Sequence, residues 1–258
     1  MSVKKIAKSA VRFAARAALR RSKGEAARVR CSAVIVAAGS ATRMQGTDKI
    51  FVPLRGIPVV VRSCRAYQNC EEIDEIILVV KKDDLERAAE LCHTWGITKL
   101  TKVVAGGNSR TESVLHGVEA ASALSDVIAV HDGARPLVTE DVIHAAVRKA
   151  SVSGAAIAQV PVTDTVKTHK NGVVTGTPDR KGMCLVQTPQ AFNADMFRAV
   201  LDRCIKERWE VTDDASAVEL CGLPVALTDG NPENIKITTP VDLIIAGAIL
   251  DGRDEGCE

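Results

Sequence analysis

The stretch SAVIVAAGSATRMQGTDK, residues 32–49, decides how the rest of the chain is interpreted. Its first part, SAVIVAA, is a continuous apolar run, which is typical of a strand buried on both faces of a sheet. Ala37, Ala38 and Gly39 end that run, and such small residues let a ligand approach the main-chain N–H groups. The stretch therefore predicts a buried strand that leads into a ligand-binding loop.

The loop after this strand carries two cations, Arg43 and Lys49. An arginine grips phosphate oxygens with two donors, whereas a lysine acts as a point charge. The loop fits neither G-x-x-x-x-G-K-[ST] nor G-x-G-x-x-G, the two familiar phosphate-binding templates. Two cations, a glycine-lined turn and a nearby carboxylate suit a triphosphate with Mg²⁺, and the position after the first strand favours this over solvated surface charges.

Strands and helices alternate from Cys31 onward. Apolar runs predict strands over residues 32–38, 73–80, 99–106, 126–132 and 154–162. The segments between them predict helices over 55–69, 83–95, 109–123 and 139–150, and the C-terminal part adds strands over 224–229 and 234–238 and a helix from Pro240. The alternation predicts an α/β fold with a Rossmann-like, mostly parallel sheet and helices on both faces.

The rhythm breaks in DTVKTHKNGVVTGTPDR, residues 164–180. Asn171-Gly172 between short β-prone runs predicts a two-residue hairpin. An isolated hairpin is only marginally stable in water, so this β-arm, at about 163–180, is expected to project and to pack on something. A second copy of the chain is the simplest candidate. No second core is evident, so residues 31–255 are expected to form a single domain.

The composition argues against several classes of protein. The 258 residues contain no run of eighteen apolar residues, so no transmembrane helix is expected. Aromatic residues make up 3% of the chain, which argues against a stacking surface for single-stranded nucleic acid. The eight cysteines form neither C-x-x-C nor a metal-like cluster with histidine, which favours reduced cysteines in a cytoplasmic protein.

Residues 1–30 form a basic, Arg/Ala-rich extension. They contain ten Lys or Arg and one acid, Glu25, a net charge of +9, whereas the remainder of the chain carries −7. Arg12 and Arg16 interrupt the apolar stretches, so the segment lacks the apolar core of a secretory signal. An extension without separate function, an organelle transit peptide, a membrane-surface helix and a nucleic-acid tether all remain open. The acidic body makes nucleic-acid binding the minor option.

Small and polar residues follow three of the predicted strands. The first strand ends in Ala37-Ala38-Gly39, the third in Gly106-Gly107-Asn108, and the fourth in His131-Asp132-Gly133-Ala134-Arg135. Ligands of open α/β sheets bind beyond the carboxyl ends of the strands. We therefore expect these three segments to meet at one rim of the sheet and to form a binding site there.

Seven blocks occur in one order over residues 32–250: AAGSATRM…DK, GGNSRTESV, HDGARP, PVTDTVK, TPDR…QTPQAF, TDDASAVE and NIKITTPVDL. Together they resemble the 2-C-methyl-D-erythritol 4-phosphate cytidylyltransferases of the non-mevalonate isoprenoid pathway. The first block alone indicates only the wider nucleotidyltransferase group, and the later blocks make the resemblance specific. It implies that CTP and a sugar-alcohol phosphate give a CDP-linked product and pyrophosphate.

The resemblance also implies a role for each matching residue. Arg43 and Lys49 would be catalytic and would stabilise charge at the reacting phosphate. The nucleotide would be bound by Ala37, Ala38, Gly39, Gly107, Asn108, Ser113 and Asp132, and Asp132 would also lie near Mg²⁺. The acceptor phosphate would be positioned by Arg135, Thr165, Arg180, Thr212 and Lys236. In the family the arm comes from the partner of a homodimer, so Thr165 and Arg180 would complete the neighbour's site.

The residue types agree with this chemistry. A phosphate oxygen is already anionic at neutral pH, so no protein base is needed to create the nucleophile. This is consistent with the lack of an activated Ser–His or Cys–His arrangement in the sequence. Catalysis is then expected to consist of positioning and of stabilisation by cations.

Four positions depart from the family's pattern. Ala41 stands where the family usually has Gly, Asp48 where it has Pro, Ile50 where it has Gln, and Asn108 where it has Asp. An acid beside Lys49 is expected to draw that lysine away from the phosphate. The charge pattern of the loop is nevertheless retained.

Structural interpretations stay open beside the functional ones. They are Asp132 as a turn cap, Thr165 as an ordinary β residue, Arg180 paired with Asp179 or another surface acid, and Lys236 as an outward lysine on a strand. His131 is expected to be structural and to point away from Asp132. Asp213 and Asp214 are expected to open a helix rather than to bind metal.

Two other functions remain as alternatives. A ribitol 5-phosphate cytidylyltransferase shares the nucleotide half, although the block over residues 164–180 is closer to the methylerythritol enzymes. An NAD-dependent oxidoreductase is more remote, because the first loop lacks G-x-G-x-x-G and no acid clearly ends the second strand.

Overall fold

The computed structural model describes residues 28–39 and 49–255. The strands are β1 (Cys31–Val36), β2 (Pro53–Leu54), β3 (Ile57–Pro58), β4 (Ile73–Val80), β5 (Leu100–Ala105), β6 (Val127–Asp132), β7 (Ala155–Pro161), β8 (Thr168–Lys170), β9 (Val173–Gly176), β10 (Cys184–Asn193) and β11 (Ala226–Asp229). The helices are α1 (Val59–Asn69), α2 (Leu85–Thr94), α3 (Arg110–Ala120), α4 (Glu140–Ser153), α5 (Ala194–Glu207), α6 (Asp214–Leu220) and α7 (Pro240–Glu255). No described helix combines the length and apolar character needed to cross a bilayer.

Seven strands form one sheet in the order β11-β7-β10-β6-β1-β4-β5. The four strands β6, β1, β4 and β5 run parallel, and β11 pairs in parallel with β7. β10 runs antiparallel to both of its neighbours, β6 and β7. The predicted α/β fold with a mostly parallel sheet is therefore confirmed.

The sheet separates two apolar cores, because successive residues of its central strands point to opposite faces. Ala33 and Ile35 of β1 pack in one core with α1, α2 and α4. Val34 packs in the other core with α3, α5 and α6. All three side chains are fully buried, and a fully buried valine or isoleucine contributes about 1.5–3 kcal/mol. Helices therefore cover both faces, and the loops are left at the rims.

Helix α7 covers part of the rim formed by the carboxyl ends of the strands. It contributes to a small third core made of Leu54, Val59, Leu137, Ile237 and Ala246. Arg55 Nε donates to Asp251 Oδ1 at 2.7 Å, which ties the β2–β3 hairpin to this helix. Arg253 Nη2 donates to the Leu137 carbonyl at 3.1 Å, which ties the segment after β6 to it.

Strands β8 and β9 pair with each other and with no other described strand. Asn171 has φ 51° and Gly172 has φ 80°, and a type I′ turn needs positive φ at both central positions. The predicted hairpin is therefore confirmed. Val173 and Val174 on β9 are 69% and 58% exposed, so the arm presents apolar side chains to its surroundings.

The sequence pattern did not predict β10. Gln187, Pro189 and Gln190 interrupt its apolar pattern, and a proline within a run argues against a paired strand. The pairing with β7 changes register between Val186 and Gln190. Pro189 thus sits in a bulge, where its missing N–H breaks no regular ladder.

The predicted strand over 234–238 is wrong, since no described strand covers these residues. Ile237 N donates to the Ala134 carbonyl at 2.8 Å, and the fully buried Asn234 donates to the Thr188 carbonyl at 2.9 Å. The alternating apolar pattern anchors this segment over the rim of the sheet instead of pairing it with a strand. The segment nevertheless brings Lys236 to the rim.

The predicted helix over 55–69 is shorter than expected and begins at Val59. Residues 53–58 form the β2–β3 hairpin instead. Its two turn residues, Arg55 and Gly56, have φ 47° and 76°, which a continuing helix does not allow.

Candidate active site

The loops after β1 and β5 touch each other at the rim of the sheet. A Cβ on Gly106 would overlap the Ala38 side chain and would lie 2.8 Å from the Ser113 hydroxyl. A Cβ on Gly133, after β6, would lie 3.0 Å from the Ala37 Cβ. The structure therefore brings together three of the segments that the sequence placed at one rim.

The base loop, residues 106–109, is shaped by side chains of α3. Ser113 Oγ accepts from Gly107 N at 3.1 Å and donates to the Ser109 carbonyl at 2.9 Å. Glu112 Oε2 accepts from Asn108 N at 2.7 Å, and Ser109 Oγ accepts from Glu112 N at 3.0 Å. This reciprocal capping resembles a capping box, and it confirms Ser109 as the N-cap. The Ser113 hydroxyl is thus committed to loop geometry, while Asn108 is exposed.

The β1 loop is described at its two ends. Gly39 is exposed, and Lys49 is half-buried where the described chain resumes. Arg43, Ala41 and Asp48 lie outside the described residues, so the predictions made for them stay predictions.

Ile50, which departs from the family pattern, belongs to the apolar core and is 3% exposed. Its carbonyl accepts from Val60 N at 2.9 Å, at the beginning of α1. One turn further on, Ser63 Oγ donates to the Gly133 carbonyl at 3.0 Å. The isoleucine therefore anchors the exit of the β1 loop against α1, close to the rim.

Five charged side chains, which we call the rim cluster, surround the end of β6. They are Asp132, Arg110, Arg135, Asp214 and Lys236. Lys236 Nζ lies 2.6 Å from Asp132 Oδ2, and Arg110 Nη2 lies 3.5 Å from Oδ1. Burial alone would raise the pKa of Asp132, but these cations and Arg135 outweigh it and hold the pKa at about 2. The carboxylate is therefore ionised at neutral pH.

Arg110 and Asp214 form the two-bond pair of the rim cluster. Arg110 Nη1 donates to Asp214 Oδ1 at 2.9 Å, and Nη2 donates to Oδ2 at 2.8 Å. The Asp214 side chain is 2% exposed. Gln190 Oε1 accepts from the backbone N–H groups of Asp214 and Ala215 at 3.1 and 3.0 Å. The start of α6 is thus fixed both to β10 and to the start of α3.

Arg135 carries a buried donor without a partner. Its Nη1 donates to the Asn234 carbonyl at 2.6 Å. Its Nε is buried without a hydrogen bond, and the nearest carboxylate oxygen, on Asp132, is 4.0 Å away. An unsatisfied buried donor is costly, and an anionic oxygen entering the rim would satisfy it.

His131 points away from the rim cluster, as predicted. It is fully buried, and its Nδ1 lies 2.9 Å from Thr188 Oγ1 while its Nε2 lies 3.1 Å from the Arg135 carbonyl. Burial lowers the pKa of His131 to about 4, so the ring is neutral at pH 7. Thr188 Oγ1 also accepts from Asp132 N at 3.1 Å. The hydrogen bonds of His131 and Thr188 therefore fix the position of the end of β6.

Thr212 lies just before α6. Its Oγ1 is 3.2 Å from Ser216 Oγ, and the residue is exposed. Asp213 Oδ1 accepts from Ser216 N at 2.9 Å and caps α6, which confirms that the acidic pair opens a helix. Thr212 is thus two residues from Asp214 and is connected to the rim cluster through it.

Thr165 and Arg180 are not brought to the rim cluster by any contact within the described residues. Both are exposed on the arm, and Arg180 Nη1 donates to the Thr163 carbonyl at the arm's base. The structural interpretation expected Arg180 to pair with Asp179, but these two side chains have other partners. Asp179 accepts from Lys181 N at 3.0 Å instead.

Sequence reasoning missed Arg110, Asp214 as its partner, Gln190 and Thr188. One signal was available for Arg110, which is the first residue of α3. A cation at a helix N-terminus opposes the helix dipole, so its presence there indicates a tertiary partner.

The donor set at the rim limits how a metal ion can be held. No group of three or more His, Cys, Asp or Glu side chains in the described ranges is arranged to hold a metal. Asp214 is 2% exposed and held by Arg110, whereas Asp132, although paired with Lys236, is 12% exposed and is therefore the more accessible carboxylate of the rim cluster. These residues suit an ion that takes most of its ligands from water and substrate.

Residues 31–252 match the family described as IspD: 2-C-methyl-D-erythritol 4-phosphate cytidylyltransferase. A protein of that name from Symbiobacterium thermophilum is 40% identical over 228 residues, which cover 88% of this chain and 95% of the relative. Another from Dehalococcoides mccartyi is 42% identical over 221 residues, which cover 84% of this chain and 95% of the relative.

Solved structures agree with these sequence matches. The 4-diphosphocytidyl-2C-methyl-D-erythritol synthase of Anaerococcus prevotii superposes with a TM-score of 0.78 at 30% identity, over 86% of this chain and 96% of its own. The 2-C-methyl-D-erythritol 4-phosphate cytidylyltransferase of Thermus thermophilus superposes with a TM-score of 0.70 at 30% identity, over 84% and 97%.

Proposed function

The chain belongs to the 2-C-methyl-D-erythritol 4-phosphate cytidylyltransferase (IspD) family, and we propose that the rim cluster and base loop are where its reaction takes place. It is a nucleotidyltransferase of isoprenoid precursor biosynthesis. It transfers a cytidylyl group from CTP to 2-C-methyl-D-erythritol 4-phosphate and gives 4-diphosphocytidyl-2-C-methyl-D-erythritol and pyrophosphate. The relatives give no support to ribitol 5-phosphate as the acceptor or to an NAD-dependent oxidoreductase.

One observation carries the assignment of the site. Three cations surround the ionised Asp132 at the carboxyl end of β6, and the neighbouring base loop packs against Ala38 at the end of β1. Cations that are fixed before substrate arrives stabilise developing charge without reorganisation. The rim therefore suits two anionic substrates that must meet.

In the transfer, an oxygen of the acceptor phosphate attacks the α-phosphorus of CTP. A new P–O bond forms, the bond from the α-phosphorus to the bridging oxygen breaks, and pyrophosphate leaves with the electron pair. The attacking oxygen is already anionic, so no side chain removes a proton. The chain contributes position and positive charge.

We assign Arg43 and Lys49 to the reacting phosphate, where the resemblance places them. Lys49 lies at the end of the β1 loop, next to Ile50, whose carbonyl accepts from Val60 N at the beginning of α1. The Ser63–Gly133 hydrogen bond of 3.0 Å holds that helix against the rim. Ala37, Ala38 and Gly39 line the nucleotide pocket.

Gly107, Asn108 and Ser113 recognise the cytosine. Because the Ser113 hydroxyl holds the base loop in shape, it orients main-chain polar groups of the loop toward the base. Asn108 stands where the family has an aspartate, and its side chain offers both a donor and an acceptor.

Arg135, Thr212 and Lys236 hold the acceptor phosphate. Support comes from the Nε of Arg135, which is buried without a hydrogen-bond partner, and from Lys236, whose side chain is 40% exposed although it pairs with Asp132. A phosphate oxygen entering at this point would meet both cations.

Mg²⁺ is the cation we propose for this site, with Asp132 as the protein ligand. One carboxylate is sufficient, since Mg²⁺ usually retains waters and substrate phosphate oxygens. When bound, the ion would neutralise charge on the triphosphate. Asp132 is suited to this because it is ionised and partly accessible.

A homodimer through the arm would complete each site. Val173 and Val174 of the arm are 69% and 58% exposed, and Leu185 at its base is 56% exposed. Thr165 and Arg180 have no contact with their own rim cluster within the described residues. We propose that both residues reach the rim cluster of a second copy.

Residues 31–255 are proposed to act as a single domain with the arm at about 163–180, and residues 1–30 as an attached basic extension. The seven described cysteines are free thiols, which supports a compartment that keeps thiols reduced. We propose the cytoplasm, with organelle targeting by residues 1–30 as the alternative.

The decisive experiment measures pyrophosphate release by the full chain with CTP, Mg²⁺ and either acceptor. Release with methylerythritol phosphate but not with ribitol 5-phosphate is expected. Lys49→Ala and Arg43→Ala should each lower kcat/KM by about 10²–10³, by analogy with lost oxyanion donors. Lys149→Ala, which removes an exposed lysine on α4, serves as the control. Normal turnover by both site variants would disprove their assignment.

A further inference from the structure

Arg110 links three segments that the proposed function assigns to different substrates. It directly follows the base loop, its guanidinium grips Asp214 with two bonds, and the same Nη2 lies 3.5 Å from Asp132. Asp214 is two residues after Thr212, which belongs to the acceptor side of the site, the part assigned to the acceptor phosphate. No other described side chain in the base loop or at the start of α3 contacts the acceptor side in this way.

The geometry calls for an arginine rather than any cation. A planar guanidinium presents parallel donors to one carboxylate and leaves further N–H groups for a second. A lysine is a point charge and would satisfy one carboxylate at a time. The buried Asp214, at 2% exposure, would then lose half of its paired bonds.

We propose that Arg110 is a positioning residue that couples the cytidine-binding half of the site to the acceptor-binding half. This rests on the proposed function, since the two halves are defined by its substrates. Arg110 sets the distance from the base loop to Asp132 and to the start of α6. A shift of about 1 Å in such a framework is enough to misalign two reacting groups and costs about 10²-fold in rate.

The hydrogen bonds around the start of α6 explain why a change at Arg110 should affect the binding of both substrates. Gln190 already holds α6 on the sheet through two backbone bonds of 3.0 and 3.1 Å. Removing Arg110 would therefore leave α6 attached but would free the base loop from it. The enzyme would stay folded while its two binding regions lose their fixed separation.

The test compares Arg110→Lys with wild type, using kcat and KM for each substrate at saturating levels of the other. Both kcat/KM values should fall at least 10-fold, with kcat itself reduced. Arg203→Lys provides the matched control. Arg203 makes a two-bond pair with Glu207 on α5, at 2.7 and 3.3 Å, away from the rim, and its loss should leave both values within twofold of wild type.

A second measurement separates positioning from folding. Asp214→Asn and the double variant Arg110→Lys/Asp214→Asn should show nearly the same kinetic loss as Arg110→Lys alone, because residues that act as a unit are not additive. Thermal unfolding curves must show that each variant is folded at the assay temperature. Losses confined to one substrate, or multiplicative losses in the double variant, would overturn the proposal.

Calorimetric titration with CTP keeps this inference separate from the proposed function. Wild type that binds CTP but releases no pyrophosphate would refute the function, whereas equal CTP affinity of wild type and Arg110→Lys would refute the coupling. Weaker CTP binding by Arg110→Lys, together with a lower acceptor affinity in the presence of CTP, is the expected result.

Discussion

At the scale of single residues, Asp132 carries the electrostatics of the rim. Three cations face it, the nearest being Lys236 at 2.6 Å. Asp132→Asn would leave Lys236 and Arg135 without the carboxylate that faces them, while Arg110 would keep only Asp214 as its counter-charge. We expect kcat/KM to fall about 10²-fold, as for the loss of a preorganised charge.

The same change should lower the free energy of unfolding by about 2 kcal/mol at pH 7, because the pKa of Asp132 is about 2 in the folded chain against an ordinary 3.8. The pKa is depressed, so this stability is present above pH 4 and is lost as pH falls from about 4 to about 2. Urea unfolding at pH 7 measures it. Asp229→Asn, at an exposed position at the end of β11, is the control, and an equal loss in both variants would contradict the explanation.

His131 makes a second pH-dependent contribution, in the same direction but over a higher pH range. Burial lowers the pKa of this ring to about 4 from an ordinary 6.5, so only the unfolded chain takes up a proton between those values. Stability should therefore fall as pH drops below 6.5, by about 2 kcal/mol between pH 7.5 and pH 5. His131→Gln should reduce this difference in the free energy of unfolding, measured by urea unfolding at pH 7.5 and at pH 5. His169→Gln, on the exposed arm, is the control and should leave this pH dependence unchanged. If His131→Gln keeps the wild-type pH dependence, His131 is not its source.

The two kinds of rim residue differ in how far the sequence predicts them. Asp132 ends β6 and Arg135 follows it closely. Parallel strands end at one rim, so topology alone brings both residues to the site. Arg110 and Thr188 act through partners 104 and 56 positions away in the chain. No local pattern indicates such partners. Their roles become visible only when the sheet order places β10 beside β6.

At the scale of elements, α3 depends on one glycine for its approach to the sheet. A Cβ on Gly117 would overlap the Val34 side chain and would lie 2.8 Å from Val79 Cγ2. Alanine has a helix propensity about 1 kcal/mol better than glycine, but overpacking a core costs about 1–3 kcal/mol. Gly117→Ala should therefore destabilise the protein by up to about 2 kcal/mol in urea unfolding.

Gly252 provides the matched comparison on α7, because a Cβ there would meet nothing within 4 Å. Gly252→Ala should stabilise the protein by about 0.5–1 kcal/mol through helix propensity alone. Two chemically identical substitutions in helices should thus have opposite signs. Equal effects would show that packing against Val34 and Val79 does not limit α3.

Most strands were predictable from their apolar runs, but β10 and the segment over 234–238 were not. β1, β4 and β6 are almost continuously buried, so their apolar runs indicate their positions within a residue or two. β10 contains Gln190, which is buried at 1% exposure because it holds α6. Its polar character comes from that task, and an apolar pattern cannot reveal it. The segment over 234–238 is the opposite case. Its alternating apolar residues suggest a strand, but they pack the segment over the rim and it pairs with no described strand.

At the scale of the whole molecule, the arm decides whether one chain suffices for one active site. Arg180 on the arm and Lys236 on the body are assigned to the same acceptor phosphate, yet they share no contact within the described chain. Arg180→Ala and Lys236→Ala should each be nearly inactive alone. If each arm serves the partner's site, a dimer containing one copy of each variant has one intact site, made of one body and the other arm.

Random exchange of the two variants in equal amounts makes half of the dimers mixed, so about a quarter of wild-type activity should return. Wild type mixed with the double variant Arg180→Ala/Lys236→Ala gives the complementary test, and co-purification of differently tagged copies shows independently that subunits have exchanged. Its mixed dimers have no intact site, so activity should fall from about a half to about a quarter. Pyrophosphate release before and after exchange measures both. If tagged copies exchange while the single variants recover nothing and the mixture with the double variant stays at about a half, each arm serves its own subunit, and the shared site is ruled out.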